Sequence, residues 1–311
     1  MLPSASPFTT VHPAVAESLQ RGAPVVALES TIITHGMPYP DNAGMAARVE
    51  EIIAHEGATP ATIAVIDGKL RIGLDAAERD ALAQTRDAMK LSRADLAFAV
   101  TESRTGGTTV AATMIGAHLA GIEVFATGGI GGVHKGAETS FDISADLDEL
   151  ARTPVIVVSA GAKAILDIAK TLEVLETRGV PVVGFATDAM PAFWSRSSPH
   201  RAPLRLDRPE QVAAFFLTRQ AIGLGGGMLV ANPVPAEHGI EERRVNDWIA
   251  RAQAAAEGVG GKAVTPYLLG KIVELSGGES LRTNIALVEN NARLAARIAC
   301  ELSAARQARP S

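Results

Sequence analysis

The side chains best able to carry out chemistry lie between residues 124 and 163. An apolar run is followed by a glycine cluster and then by Asp142 and Asp146, and a second apolar run ends at Lys163. In α/β sheets, glycine turns of this kind lie where strands end and ligands bind. Glycines also let a backbone approach an anionic ligand closely. The cluster consists of Gly128, Gly129, Gly131 and Gly132. We therefore expect two carboxylates and one lysine to face a common crevice, which is the candidate active site.

Lys163 is the most informative of these residues. It follows the run Val-Ile-Val-Val-Ser-Ala-Gly-Ala and begins a predicted amphipathic helix over 162–177. Burial and the positive end of a helix would both favour the uncharged amine. Such an amine could attack a carbonyl or anomeric carbon and form an imine. A surface lysine paired with Asp167 on the next helical turn explains the spacing equally well.

Three further polar residues have a chemical and an ordinary interpretation. Glu29 directly follows a predicted buried strand, which is a common place for a general acid or base, but it could equally cap or contact a neighbouring loop. Asp142 is by default a helix N-cap, and metal binding is the less favoured interpretation. Asn284 is by default a residue on the surface of a helix. From these residues alone, the sequence predicts an enzyme acting on a small anionic ligand.

Several well-known site motifs are absent from the sequence. Aligning G-x-G-x-x-G on Gly129 and Gly131 puts His134 where the last glycine belongs, and the P-loop pattern also fails. The sequence has no G-x-S-x-G elbow and no H-E-x-x-H motif. His134 and Glu138 alone are weak evidence for a metal. A dinucleotide enzyme, a serine hydrolase and a zinc enzyme are therefore all disfavoured.

Composition restricts the partners and the compartment. The 311 residues carry a formal net charge of −5 without a dense basic stripe, so we expect no nucleic acid partner. No window of eighteen uncharged apolar residues occurs, and the N-terminus lacks a signal-peptide pattern, so we expect no membrane association. Cys300 is the only cysteine, which fits a reducing cytosol. We expect a cytoplasmic protein.

The elements that would position these residues alternate between strands and helices. This alternation predicts an α/β fold: a three-layer α/β/α arrangement with a mostly parallel central sheet, one inserted hairpin turning at Asp67-Gly68, and C-terminal helices packed over it. We expect one domain over 1–311, with residues 1–12 as a mobile lead-in. Small residues at 104–110 precede a helix and favour a bound anion at its start.

The predicted strands are 24–28, 96–100, 124–127, 155–159, 181–186 and 227–231, with the hairpin at 62–73. The predicted helices are 13–21, 41–55, 75–89, 111–119, 162–177, 209–222, 241–256, 266–275 and 280–305, and 187–207 is a predicted loop.

Six ungapped motifs closely resemble those of the pseudouridine-5′-phosphate glycosidase family, which is related to a protein encoded with indigoidine biosynthesis. The resemblance covers roughly residues 14–305. The motifs are Val-Ala-Leu-Glu-Ser-Thr-Ile-Ile (26–33) with His-Gly-Met-Pro (35–38), Thr-Gly-Gly-Ile-Gly-Gly-Val-His (127–134), Phe-Asp-Ile-Ser-Ala-Asp (141–146), Ser-Ala-Gly-Ala-Lys (159–163), Val-Ala-Asn-Pro (230–233) and Ser-Leu-Arg-Thr-Asn (280–284). The match weakens in the first dozen residues and in the loop over 195–206.

The resemblance implies reversible cleavage of the bond between uracil C5 and ribose C1′, giving uracil and ribose 5-phosphate. A carbon leaving group cannot depart by the route of ordinary glycosidases, which protonate a leaving heteroatom. By resemblance, Lys163 is the nucleophile that opens the ribose as a C1′ imine, and Glu29 is the proton donor and acceptor. The imine is the electron sink that lets the carbon–carbon bond break while the uracil carbon gains a proton.

The resemblance also implies a metal, a set of substrate contacts and an assembly. Asp142 matches the family's manganese-binding carboxylate, so one Mn²⁺ per subunit is expected, with waters completing its shell. The family is trimeric, so we expect a homotrimer. We further expect Lys90 and the start of the helix at Thr108 and Thr109 to hold the 5′-phosphate. The residues that match substrate-binding or active-site positions are Lys90, Val110, Ser144, Ala145, Asp146 and Asn284.

Two other functions remain compatible with the sequence. A lysine imine aldolase or lyase acting on another sugar phosphate would use the same Lys163. A non-catalytic sugar-phosphate sensor would bind without releasing uracil. Assaying the protein with candidate substrates would separate these functions.

Overall fold

The computed structural model describes residues 6–256 and 264–308. Its strands are β1 (Thr9–Val11), β2 (Val25–Leu28), β3 (Thr59–Ile66), β4 (Lys69–Ile72), β5 (Met89–Leu91), β6 (Gly106–Thr108), β7 (Val124–Ala126), β8 (Val133–His134), β9 (Ile156–Ser159), β10 (Leu166–Asp167), β11 (Val182–Phe185), β12 (Leu204–Leu206) and β13 (Met228–Ala231). Its helices are α1 (Pro13–Gln20), α2 (Thr31–His35), α3 (Asp41–His55), α4 (Ala76–Gln84), α5 (Arg93–Thr101), α6 (Val110–Ala120), α7 (Ala137–Ser140), α8 (Ala145–Arg152), α9 (Ile168–Thr177), α10 (Pro209–Ala221), α11 (Glu242–Ala254), α12 (Val264–Leu275) and α13 (Glu279–Gln307).

A mostly parallel sheet forms the centre of the fold, as the alternation of elements predicts. Strands β3, β2, β7, β9, β13, β11 and β12 are adjacent in that order and parallel. The predicted hairpin is confirmed, since β4 returns antiparallel to β3. Strand β6 also pairs antiparallel with β3 and brings β5 to the sheet. Helices cover both sides, with α6 against β2 and β3 and the long α13 against β2, β7 and β9. The three-layer expectation is therefore confirmed.

The sheet core consists of the apolar runs that the sequence marks as strands. All four residues of each of β2, β9 and β13 are buried, as is usual for parallel strands covered on both faces. Among the described residues, no helix combines the length and the apolar character needed to cross a membrane.

The predicted strand at 96–100 is wrong, because these residues lie in helix α5. The alternating Leu-Ala-Phe-Ala-Val run resembles a strand pattern. The local signal for a helix is a capping box, in which the backbone N–H of Ser92 donates to Asp95 at 2.9 Å. The strands of this region are the short β5 and β6 on either side of α5.

The predicted helix at 162–177 begins later, at Ile168. Asp167 is its N-cap, and the carboxylate of Asp167 accepts a hydrogen bond from the backbone of Lys170 at 3.0 Å. Asp167 also lies 3.4 Å from the ammonium of Lys170. The proposed pairing of Lys163 with Asp167 is therefore wrong, and Lys163 precedes the helix instead of lying in its first turn.

Smaller differences concern element boundaries. The helix predicted to reach residue 89 ends at Gln84, and the predicted loop at 187–207 contains the edge strand β12. Part of the predicted lead-in is ordered, because residues 9–11 form β1 against β4. Ser144, not Asp142, is the N-cap of α8, and its hydroxyl accepts from the backbone of Asp146 at 3.2 Å.

Candidate active site

The register of the parallel strands brings the predicted catalytic residues to one edge of the sheet. Leu28 lies beside Ala126, and Ala126 lies beside Val158, so the residues that follow β2, β7 and β9 emerge together. Glu29 and Thr127 are the first residues beyond β2 and β7, and the Thr127 hydroxyl donates to the Glu29 carboxylate. This is the carboxyl edge of the sheet, where ligands bind in open α/β folds.

Glu29 is a buried carboxyl group with a cation nearby. Its side chain belongs to a residue only 9% exposed. Burial raises the pKa of Glu29 above its ordinary value of 4.5, while Lys163 and the Thr127 hydrogen bond oppose this shift. Asp146 adds to the rise in the pKa, and Lys90 opposes it. A carboxyl group with a raised pKa is suited to both donating and accepting a proton near neutral pH.

Lys163 lies in the connection between β9 and β10. Its backbone N–H donates to the carbonyl of Ile130 at 3.1 Å, and its own carbonyl accepts from Leu166 at 3.0 Å. Ile130 in turn donates to the carbonyl of Gly161 at 3.0 Å. Backbone hydrogen bonds thus join the glycine segment to the connection after β9. These bonds, and not a helix, hold the backbone of Lys163 in place.

A two-lobed cleft opens around these residues. One lobe has a volume of about 370 Å³ and the other about 360 Å³. Four residues line both lobes and mark their junction: Glu29, Thr31, Lys90 and Lys163. The first, which we call the apolar lobe, is lined among others by Ile32, Met37, Phe193, Trp194, Leu269, Leu281 and Asn284. The second, which we call the polar lobe, is lined among others by Ser92, Thr109, His134, Asp142, Ser144, Ala145 and Asp146.

Most of the residues predicted for the site line this cleft, and two of them do not. Thr108 is fully buried, and its hydroxyl donates to the carbonyl of Ile63 at 2.6 Å. Val110 is 1% exposed and lines neither lobe. The structure therefore does not place the Thr108 side chain where a phosphate could reach it. Thr109 does reach the polar lobe, immediately before the first turn of α6.

Asp146 holds three parts of the polar lobe together. One carboxylate oxygen accepts from the backbone N–H of Ala111 at 2.9 Å, and the other accepts from Gly131 at 2.7 Å. The first bond caps the start of α6. A Cβ at Gly131 would lie only 2.2 Å from the Ser144 hydroxyl, so the close approach requires glycine. Asp146 thus fixes the glycine segment against α6 and α8.

Asp142 and His134 are the polar lobe's candidates for holding a metal. The Asp142 side chain is 54% exposed, and one of its oxygens lies 3.9 Å from Nδ1 of His134. Among residues 6–256 and 264–308, no group of three or more His, Cys, Asp or Glu side chains is arranged to bind a metal. A single carboxylate beside one histidine fits a hard divalent cation that keeps most of its waters and also contacts a substrate phosphate.

Unpaired buried polar atoms concentrate at the cleft. In the described part of the chain, five buried side-chain polar atoms have no hydrogen-bond partner. Four of them belong to residues that line the cleft: Thr31 Oγ1, Thr109 Oγ1, Trp194 Nε1 and Asn284 Oδ1. Because a buried unpaired group costs about 1–3 kcal/mol, its clustering at one place indicates a ligand. The default interpretation of Asn284 as a surface residue is wrong for its side-chain oxygen.

Several cleft residues were not among the site residues predicted from the sequence. Thr31 and His35 lie in the short helix α2 just beyond Glu29, and the pKa of His35 is lowered by burial and by Lys90. Phe193 and Trp194 come from the segment after β11. Only Thr31 and His35 had a local signal, since they follow directly after a buried strand. Phe193 and Trp194 lie in a long irregular connection whose position only the fold decides.

Known proteins resemble this chain over nearly its whole length. The family model described as "Indigoidine synthase A like protein" matches residues 14–301. A relative from Mesorhizobium japonicum named pseudouridine-5′-phosphate glycosidase is 72% identical over 95% of this chain and 98% of its own. A relative of the same name from Dinoroseobacter shibae is 64% identical over 95% of this chain and 97% of its own.

Two solved structures share the fold. The prealnumycin C-glycosynthase AlnA, solved in complex with ribulose 5-phosphate, superposes with a TM-score of 0.91 at 36% identity and covers 98% of this chain and 100% of its own. An indigoidine synthase A-like protein from Thermotoga maritima superposes with a TM-score of 0.88 at 35% identity and covers 95% and 97%. The chain therefore belongs to the indigoidine synthase A-like family, among relatives named pseudouridine-5′-phosphate glycosidase.

Proposed function

We propose that the chain reversibly cleaves the C–C glycosidic bond of pseudouridine 5′-phosphate, giving uracil and ribose 5-phosphate. The names of its relatives support this activity. The observation that carries the proposal is the placement of Glu29 and Lys163 at the junction of an apolar and a polar lobe. A base would occupy the apolar lobe and the phosphorylated sugar the polar lobe, with the bond between them at the two residues. Such an enzyme belongs with the lyases that include pseudouridylate synthases.

The junction residues suit each bond change in the reaction. The Lys163 amine bonds to ribose C1′ as the bond from C1′ to the ring oxygen breaks, and the proton that the nitrogen loses passes to the ring oxygen, which opens the ring. Glu29 then delivers a proton to uracil C5, the C1′–C5 bond breaks, and the nitrogen lone pair forms the imine with C1′. Water hydrolyses the imine and releases ribose 5-phosphate. In the reverse direction, Glu29 removes the proton from C5.

The polar lobe offers the groups that a sugar phosphate needs. Lys90 supplies a positive charge, and the hydroxyls of Thr31 and Thr109 are buried and unpaired. The Ser144 hydroxyl lies at the start of α8. We propose that Lys90, Thr109 and the backbone at Val110 bind the phosphate, and that Ser144 and Ala145 contact the sugar. The position of Thr109 before α6 favours an anion there.

We further propose that Mn²⁺ binds at Asp142, with His134 beside it. When bound, the ion would neutralise charge on the substrate phosphate. Asp142→Ala should weaken Mn²⁺ binding by about tenfold or more in a titration that follows water-proton relaxation. The control Asp148→Ala should not, because Asp148 is half-buried and pairs with Arg178. An unchanged Mn²⁺ titration for Asp142→Ala contradicts this assignment.

Uracil release tests the proposed activity directly. Purified protein is incubated with pseudouridine 5′-phosphate and Mn²⁺, and uracil is followed by chromatography. We expect uracil and ribose 5-phosphate in equal amounts. A protein that binds the nucleotide without releasing uracil would instead be a sensor. Turnover of another sugar phosphate in place of this substrate would indicate an aldolase or lyase.

Borohydride trapping tests the covalent step. With ribose 5-phosphate, the wild-type protein should be reduced to a stable adduct at Lys163, identified by mass spectrometry. Lys163→Ala should lose the adduct and at least about 10³-fold in turnover, because the amine forms the covalent bond. Lys170→Ala is the control, since Lys170 pairs with Glu138 outside the cleft. An active Lys163→Ala variant that still forms a trapped adduct contradicts the assignment.

A second candidate is the formation of C–C glycosidic bonds with an aromatic acceptor other than uracil. The solved structure of a C-glycosynthase with a ribulose 5-phosphate ligand favours it. Incubating the protein with ribose 5-phosphate and a panel of aromatic acceptors would distinguish the two activities.

We also propose a homotrimeric, cytoplasmic enzyme without nucleic acid or membrane partners. The exposed apolar side chain of Phe141, 80% exposed beside the polar lobe, supports an assembly that covers it. Sedimentation equilibrium should give three times the mass of one chain, and a monomer at micromolar concentration contradicts the trimer.

A further inference from the structure

The apolar lobe contains a buried hydrogen-bond donor that the proposed chemistry does not use. Trp194 is 2% exposed and lines this lobe, and its indole nitrogen has no hydrogen-bond partner among the described residues. An indole N–H can only donate. Buried Trp N–H groups usually find an acceptor, so an unpaired one in the wall of a ligand cavity points to an acceptor on the ligand.

The backbone on both sides of Trp194 is fixed. The carbonyl of Trp194 accepts from Ile240 at 2.9 Å, and the hydroxyl of Ser195 donates to the carbonyl of Ile240 at 2.8 Å. The neighbouring N–H of Phe193 donates to the carbonyl of Ala160, at the end of β9, at 3.0 Å. Phe193 is held at a φ of +62°, which a non-glycine residue adopts only under constraint. The backbone that carries the indole is therefore held in place on both sides.

A second unpaired atom in the same lobe has the opposite polarity. Asn284 Oδ1 is buried without a partner and can accept a hydrogen bond. The residues that line the lobe thus include one with an unpaired donor and one with an unpaired acceptor among largely apolar side chains, which is the pattern of a site that fixes the orientation of a flat polar ring. Uracil offers carbonyl oxygens as acceptors and ring N–H groups as donors.

We infer that the indole N–H of Trp194 donates to a carbonyl oxygen of the uracil ring and makes Trp194 a specificity-determining residue for the base. This inference rests on the proposed function. The hydrogen bond orients the ring before the carbon–carbon bond breaks, and it discriminates against bases that lack a carbonyl at that position. A site that hydrogen-bonds its substrate rejects analogues lacking the group, because its own buried polar atom is then left unpaired.

Trp194→Phe tests the inference, because it keeps an aromatic ring and removes the N–H. The control is Trp248→Phe, since Trp248 lies in α11, where it stacks with Arg244 outside the cleft. For pseudouridine 5′-phosphate we expect Trp194→Phe to lower kcat/KM by about 5- to 150-fold, the equivalent of about 1–3 kcal/mol. Borohydride trapping of ribose 5-phosphate, which has no base, should stay within about twofold of wild type, because no hydrogen bond to a base is involved.

Substrate analogues identify the carbonyl. The 2-thio and 4-thio derivatives of pseudouridine 5′-phosphate each replace one carbonyl oxygen by sulfur, a weaker acceptor. One of them should be a poorer substrate for the wild-type protein, and this penalty should disappear in Trp194→Phe. Disappearance of the penalty is the readout that a merely structural role of Trp194 would not produce.

Three results would overturn the inference while leaving the proposed function intact. Trp194→Phe could behave like Trp248→Phe, as expected if a water pairs with the indole. The Trp194→Phe variant could also lose the trapped ribose 5-phosphate adduct and uracil release to the same extent, which would indicate a structural role for Trp194. Both thio penalties could also persist in the variant. A wild-type protein that releases no uracil contradicts the proposed function first, and the inference with it.

Discussion

At the scale of single residues, the candidate site centres on a buried carboxyl group that follows β2 and a lysine in the connection after β9, two strands that lie on either side of β7. Glu29 keeps its pKa above the ordinary value because burial outweighs the opposing effects of Lys163 and Thr127. The uncharged form is therefore more stable in the folded protein than in the unfolded chain. A buried carboxyl group whose pKa is raised in this way lowers stability at neutral pH.

Glu29→Gln should lower turnover and should raise the free energy of unfolding relative to wild type as the pH rises. We expect turnover to fall by about 10²- to 10⁴-fold, because the group that we propose to protonate uracil C5 is lost. Glutamine does not titrate, whereas the wild-type protein loses stability as the pH rises from 4.5 through the raised pKa of the folded state. Relative to wild type, the variant's free energy of unfolding should therefore increase from pH 4 to pH 8, as measured by urea denaturation.

The exposed Glu102, at the end of α5, provides the matched control for this change. Glu102→Gln should leave turnover unchanged. If the difference between Glu29→Gln and wild type is the same at pH 4 and pH 8, burial does not raise the pKa of Glu29. An active Glu29→Gln variant would remove Glu29 from the chemistry.

At the scale of elements, the glycine segment after β7 is a close-packed connection. A Cβ at Gly129 would lie 2.7 Å from two ring atoms of Phe193. A Cβ at Gly132 would lie 2.5 Å from the hydroxyl of Thr171 in α9. The glycines let the connection pass between α8, α9 and the segment that carries Phe193 and Trp194, and so they bring Asp146 and Lys163 to one cleft.

Gly129→Ala should push the Phe193 ring away from its position in the apolar lobe. Overpacking of this kind costs about 1–3 kcal/mol, so we expect unfolding by urea to require correspondingly less denaturant. Turnover of pseudouridine 5′-phosphate should fall by about tenfold or more, because the wall of the base site moves.

Gly44→Ala is the control for a glycine without close contacts. Gly44 lies inside α3, and a Cβ there meets no atom within 4 Å. Alanine favours the helix by up to about 1 kcal/mol, so this variant should be as stable as wild type or more so, with full activity. A Gly129→Ala variant that behaves like Gly44→Ala shows that Phe193 tolerates the added methyl group.

At the scale of the whole molecule, the long helix α13 packs along β2, β7 and β9 and contacts residues at both ends of these strands. Asn291 is fully buried on α13, and its amide donates to the carbonyl of Thr127 at 2.8 Å. Its carbonyl accepts from the side chain of Asn232, beyond β13, at 3.0 Å. One side chain near the C-terminus thus links the ends of β7 and β13, and Thr127 in turn holds Glu29.

Asn291→Ala should lower both stability and activity. Two buried polar groups, the Thr127 carbonyl and the Asn232 amide, would lose a partner, which costs at least about 2 kcal/mol in the free energy of unfolding. Turnover should fall, because Thr127 no longer holds Glu29 in a fixed position. Calorimetry and the uracil assay check the two effects.

The neighbouring Asn290 gives the comparison, since it donates only to the carbonyl of Pro233 and is partly exposed. Asn290→Ala should cost about 1 kcal/mol or less. Equal effects for Asn290→Ala and Asn291→Ala would contradict the role of Asn291 as a link between strands.

The sequence by itself determined the elements whose signals are local. Apolar runs placed the strands that end at Leu28, Ala126, Ser159 and Ala231, and Asp-Gly placed the hairpin. The glycine turn after an apolar run predicted a crevice shared by Asp142, Asp146 and Lys163, whereas the resemblance to a known family added Glu29 to it. The alternating residues at 96–100 led to the wrong prediction of a strand, because so short a pattern fits a strand and a helix equally. Only the capping box at Ser92 distinguishes the two.

The tertiary structure alone decided which side chains face one another. The contacts of Asp146 with Ala111 and Gly131 join segments that are distant in the chain, and no local pattern encodes such pairings. The same holds for the burial of Thr108, for Asn291 against Thr127, and for the unpaired indole of Trp194 in the wall of the apolar lobe. Burial and hydrogen-bond satisfaction are properties of the packed chain, so they exist only once the sheet and its helices have assembled.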